Sequence, residues 1–127
     1  CDIVVSNLKF LKKEKDIYYN FIKECVSSND NWRIRFGLVT LLGYYLEENY
    51  IDEIFYLCTN ITNREYYVKM AQAWLISIMF IKFREKTLDY LKENTLDNWI
   101  QNKTIQKIRE SIRVSKEDKD LVLTFKR

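Results

Sequence analysis

Arg35, Lys69 and Lys103 stand at one interval of 34 residues along this 127-residue chain. A cation kept at a repeated position among apolar neighbours is suited to anion chemistry. A guanidinium or ammonium group can contact a phosphate without reading the base attached to it. One surface cation means little, since most belong to solvated faces. Three at one repeat position are expected to form a row, and with neighbouring helices roughly 8–10 Å apart such a row spans several phosphates. Lys107 and Arg113, a turn or more further on, extend it. A plain solvated face remains the competing reading of the same residues.

Other chemistry is narrowly bounded. The chain has no histidine, which removes imidazole bases, histidine-containing triads and the usual zinc sites. Its three cysteines, Cys1, Cys25 and Cys58, are odd in number and form no Cys-x-x-Cys pair, so no disulfide framework is expected. Acid–base work must fall to carboxylates, and neither a metal nor a cofactor is expected.

The elements that must position these cations follow from the same interval. Shifting the chain by 34 carries Trp32 onto Tyr66, Ile34 onto Val68, Gly37 onto Ala71, Gly43 onto Ser77, Ile54 onto Leu88, Tyr56 onto Tyr90 and Leu57 onto Leu91. A fixed period of this length marks stacked helical units, each burying its apolar face against its neighbours. There is no proline and there are only two glycines, too few for a turn-rich sheet. Aromatic and aliphatic residues recur instead at three- and four-residue spacings, the helical period. The fold class expected is all-α.

Helices are expected over residues 2–12, from Asp16 as N-cap to about 25, and over 32–46, 50–61, 66–81, 84–94 and 97–111, the last with a break near Asn102. Ser115-Lys-Glu-Asp118 is a variant capping box opening a final helix with Leu121 and Val122 turned inward. In residues 66–81, 13 of 16 are apolar, so that helix should be covered on most sides. The period also fits tetratricopeptide arrays, but their closing proline is missing. HEAT-like antiparallel helix pairs forming a curved solenoid describe the pattern better, as one unit over residues 1–127. The chain opens on Cys1 with an apolar run behind it and no initiator methionine, and is read as the C-terminal part of a longer protein. No signal peptide is visible, and the longest strongly apolar stretch, residues 73–81, is about half of the roughly 18 residues a spanning helix needs. A cytoplasmic, monomeric protein without a membrane partner is expected. Net charge is +3, with the excess in residues 103–127, where eight Lys/Arg face four Asp/Glu. That local excess suits an anionic partner.

At Trp32-x-x-Arg35 followed by Phe36-Gly37, and at Tyr66-Tyr-Val-Lys-Met-Ala-Gln-Ala-Trp74, the chain resembles the bacterial DNA alkylation repair family. Asn102-Lys-Thr-Ile-Gln-Lys107, Glu110-Ser111 and Arg113-Val-Ser-Lys116 are similar to the C-terminal signature of a small-protein branch of it. The resemblance runs from Asp2 onward and covers about the C-terminal half of a typical member. It implies a HEAT-like DNA glycosylase that removes N3- and N7-alkylated purines from double-stranded DNA. An alkylated purine is already a cationic leaving group. Such an enzyme needs mainly to hold the nucleotide and stabilise the cationic sugar, with a carboxylate and aromatic faces. The resemblance makes Asp2 the catalytic carboxylate, Arg35 a DNA contact, Trp74 a ring near the lesion and Trp32 the repeat tryptophan. One departure stands out: where the glycosylases read Trp-x-Leu-Arg-Glu, this chain reads Trp74-Leu-Ile-Ser-Ile78 and carries neither charge.

Simpler readings stand beside these. Asp2 precedes Ile3-Val-Val5 and equally fits an aspartate satisfying free amides at a helix start. Trp74 lies about 140° around the helix from Lys69, on the side of Tyr67, Met70 and Ile78, which suits a core ring. Trp32 is read as packing and Trp99 as core or cap. Three functions follow: alkylpurine repair, DNA binding without excision, and a protein-interaction scaffold.

Overall fold

The structure is a computed structural model in which residues 15–127 are described, with side chains from residue 18 onward. Among these residues are seven α-helices and no strand. They are α1 Lys15–Val26, α2 Asn31–Tyr44, α3 Glu48–Thr59, α4 Tyr66–Lys82, α5 Arg84–Lys92, α6 Asn98–Glu110 and α7 Lys116–Leu123. The helix expected over residues 2–12 lies outside the described residues. Asp16 falls inside α1 instead of at its cap, and α6 runs unbroken through Asn102.

Polar side chains start four of these seven helices by accepting from amides that no intrahelical carbonyl reaches. Asp30 Oδ1 accepts from Trp32 N at 2.9 Å, Asp97 Oδ1 from Trp99 N at 2.8 Å, and Ser115 Oγ from Asp118 N at 3.2 Å. At α4 the capping residue is Glu65, whose carboxylate accepts from Tyr67 N at 2.9 Å and Val68 N at 3.1 Å. Asn63 acts one step earlier, its Oδ1 accepting from Glu65 N at 2.8 Å.

The chain divides into two compact units between Ala71 and Gln72, inside α4. In the first, Ile22, Cys25 and Val26 of α1 are buried with Ile34, Leu38 and Leu41 of α2 and Ile51, Ile54 and Cys58 of α3. Each such side chain contributes roughly 1.5–3 kcal/mol relative to exposure. Gly37 lets α1 and α2 approach closely, since a Cβ there would lie 2.6 Å from Val26 Cγ2. Tyr19, Tyr45 and Tyr50 close one end of this core, with ring centroids 4.6–5.3 Å apart. Burial, reinforced by the Glu53 carboxylate, holds the Tyr19 phenol above its ordinary pKa.

The second unit buries Leu75, Ile76 and Met79 of α4, Leu88 and Leu91 of α5, Ile100, Ile105 and Ile108 of α6, and Val122 of α7. The dense burial of α4 agrees with its apolar composition. In α7, however, Leu121 is exposed while Val122 is buried. Adjacent helical residues point about 100° apart, and so short a helix has one covered face. Arg84 grips Asp118 with two parallel bonds, Nε to Oδ2 at 2.9 Å and Nη2 to Oδ1 at 2.8 Å, and also contacts Glu85. Gln101, fully buried, donates to Leu91 O at 3.0 Å and Phe125 O at 3.2 Å and accepts from Asn94 Nδ2 at 3.0 Å. A buried amide so engaged avoids the penalty of orphaned polar atoms and ties residues 124–127 to the α5–α6 connection.

Candidate nucleic-acid interface

In the first unit the site is built where the opening turns of α2 and α4 meet. Asn63 Nδ2 donates to Asn31 Oδ1 at 2.6 Å, joining the two starts. One turn further on, Arg35 Nη1 donates to Tyr67 O at 3.2 Å, and its guanidinium lies 6.0 Å from the Tyr67 ring centroid. That bond seats the planar group against an aromatic ring. Lys69 is half-buried on α4, its amide bonded to Glu65 O at 3.0 Å.

The rings in the opening turns of these two helices are turned to solvent. Trp32 is 55% exposed, Tyr66 52% and Tyr67 62%. Trp32 stacks on Phe36 one turn along, with centroids 5.5 Å apart and planes 10° apart, and Tyr66 meets Tyr67 edge-on at 5.3 Å. The expectation that Trp32 packs into the core is therefore corrected. A first-turn residue sits at the helix end, and this ring rests on Phe36 of its own helix instead of entering the core. The nearby carboxylates Asp30 and Glu65 are occupied as helix caps. Aromatic faces beside cations can stack bases while the cations take phosphates.

The second unit holds the remaining expected residues. Trp74 and Lys107 line one shallow cleft of about 220 Å³ together with Ser77, Ile78 and Glu110. Trp74 is half-buried here, between the core position that spacing suggests and a fully open ring. Ser77, at the first of the two positions where the glycosylases carry charge, is buried and donates to Trp74 O at 2.7 Å. Lys103 lies one turn before Lys107 but opens on a different cleft, with Nζ 5.8 Å from the Trp99 ring centroid and 3.1 Å from Gln106 Oε1. Asp2, the expected catalytic carboxylate, lies outside the described residues. Among the described residues no cluster of three or more carboxylates or thiols could hold a metal, and no helix is long and apolar enough to cross a membrane.

Trp99 is the residue that sequence reasoning left without a role. A signal for it exists. Asp30-Asn-Trp32 recurs as Asp97-Asn-Trp99, and in both copies the aspartate caps the helix by accepting the tryptophan amide. The tripeptide puts an indole in the first turn of α2 and of α6, where it escapes the core. No family model, curated protein or solved structure matches this chain.

Proposed function

We propose that this chain is a DNA-binding repair protein built of HEAT-like helix pairs and similar to the alkylpurine DNA glycosylases. Arg35 and Lys69 contact the phosphate backbone from the first unit, and Lys103 and Lys107 from the second. The observation that carries the reading is Arg35 seated on Tyr67, with Trp32, Tyr66 and Tyr67 exposed in the opening turns of the same two helices. A solvated cation gains nothing from an array of uncovered rings, whereas a nucleic acid uses both. The HEAT-like pairing is supported by seven helices with short connections and by the 34-residue period.

Binding without excision is the second reading. It is favoured by Ser77, a buried hydroxyl turned onto its own helix where the glycosylases carry a charge. Fluorescence anisotropy on a methylated duplex tests binding across 50–200 mM salt. Arg35→Glu and Lys69→Glu should each weaken it and lower the salt slope by about 0.9 per lost phosphate contact. Release of N7-methylguanine, abolished in Asp2→Asn, supports repair; binding with no release supports the second reading. Absence of salt-sensitive DNA binding sinks both.

A further inference from the structure

Lys103 opens on a cleft of about 610 Å³, nearly three times the volume of the one beside Trp74 and built from the second unit alone. One wall is a face of α6 carrying Trp99, Lys103 and Gln106, which recur at helical spacing, with Arg109 at its edge. The opposite wall is Leu123 and Lys126 at and beyond the end of α7. That second wall is firmly held. Asn102 and Arg127 exchange two bonds of 2.8 Å, Nδ2 to O and N to Oδ1. The Arg127 guanidinium donates to Leu96 O and Asn94 O, both at 2.9 Å, and Gln101 holds Phe125 O.

The charge of the cleft is one-sided. Lys103, Arg109 and Lys126 face it against Glu110 alone, and Glu110 already accepts from Gln106 Nε2 at 2.8 Å. Among the described residues neither Arg109 nor Lys126 has an ion-pair partner. Three cations around one concavity raise a positive potential that an anion would relieve. The indole of Trp99 adds a flat apolar face beside them, and the volume lies within the roughly 300–1,000 Å³ of small-molecule sites. Three solvated cations would explain the charge but not an aromatic wall and a tethered chain segment lining the same cleft.

We propose that this cleft is a nucleotide site. It takes a nucleoside monophosphate, with the base against Trp99 and Leu123 and the phosphate among Lys103, Arg109 and Lys126. The same chemical group is available as a free nucleotide or as the 5′-phosphorylated end of a strand. The site is independent of the phosphate contacts made by Arg35 and Lys69.

The test is an NMR titration of the ¹⁵N-labelled chain with AMP, adenosine and inorganic phosphate, following the Trp99 indole N–H. AMP is expected to shift that resonance and its α6 neighbours, with adenosine and phosphate each at least tenfold weaker. Arg109→Glu and Lys126→Glu, both at exposed positions, should each weaken AMP at least tenfold with unchanged circular dichroism, while Arg35→Glu leaves it unchanged. A 5′-phosphorylated oligonucleotide binding tenfold tighter than AMP, and tighter than its 5′-hydroxyl form, identifies a strand end; equal or better binding of AMP identifies the free nucleotide. No shift at Trp99 with 10 mM AMP, or binding that survives both charge reversals, overturns the site.

Discussion

Gly37→Ala should destabilise the protein, although alanine is much the better helix former. The added methyl would sit 2.6 Å from Val26 Cγ2, 3.1 Å from Val26 N and 3.2 Å from Cys25 Cβ. The valine methyl could swing aside, but a β-branched side chain in a helix has one strongly preferred rotamer. The other two atoms belong to the frame of α1, so α1 and α2 must separate by a few tenths of an ångström. On the favourable side stand about 1 kcal/mol of helix propensity and about 0.8 kcal/mol for a buried methyl. Overpacking typically costs about 1–3 kcal/mol, and a clash that includes backbone belongs near the top of that range. The net expectation is a loss of about 1 kcal/mol, with Gly37→Val losing more than about 3 kcal/mol. Urea unfolding followed by far-ultraviolet circular dichroism reads this directly, and the melting temperature should fall by about 4 °C for Gly37→Ala. In a Val26→Ala background the cost should shrink, giving a coupling of about 1 kcal/mol. A Gly37→Ala protein as stable as the parent, or more so, would refute the close approach of α1 and α2.

Two further outcomes follow from titrating groups. The Arg84 guanidinium, bonded to Asp118, holds that carboxyl below its usual value, against the opposing pull of burial. Its stabilisation is therefore complete above the ordinary carboxylate range near pH 3.9 and lost as pH falls through the lower folded value. The stability gap between parent and Asp118→Asn should be present at pH 6 and shrink as pH falls below the ordinary carboxylate range; a gap that does not depend on pH would contradict the pairing. Burial pushes the Cys58 thiol up to about 12 and raises that of Cys25 as well. Ellman's reagent at pH 8 should therefore label these two only on unfolding, and rapid labelling of Cys58 in the folded protein would mean that its face of α3 is not covered.

The helices were legible because their signals are local. The apolar spacing of α2 and α4, the caps at Asp30 and Asp97 and the Ser115 box each lie within a few residues of what they control. Where two nearby residues could serve one role, the outcome depends on loop geometry, as at α4, where Glu65 and not Asn63 takes the first free amides of the helix. The candidate site was less legible. Arg35 and Lys69 were found from their interval, but nothing in sequence pairs Arg35 with a carbonyl 32 residues away. Trp32 reads as packing and Trp99 as core or cap because tryptophan is usually covered, although the repeated Asp-Asn-Trp marks both as first-turn residues.

The 34-residue echo sets Gly37 opposite Ala71, which is buried without difficulty, so by sequence alanine looks acceptable at both. What the sequence determined by itself is the helices of residues 15–127, the narrow chemistry open to a chain without histidine, and the interval of its cations. These depend on residue type and on contacts within one or two turns. The tertiary structure alone decided which rings stay in water, which carboxylates are occupied as caps, and that residues 124–127 wall a basic cleft against α6. Exposure and enclosure depend on what other segments bring near a residue, and a helical period fixes only the direction in which a side chain leaves its own helix.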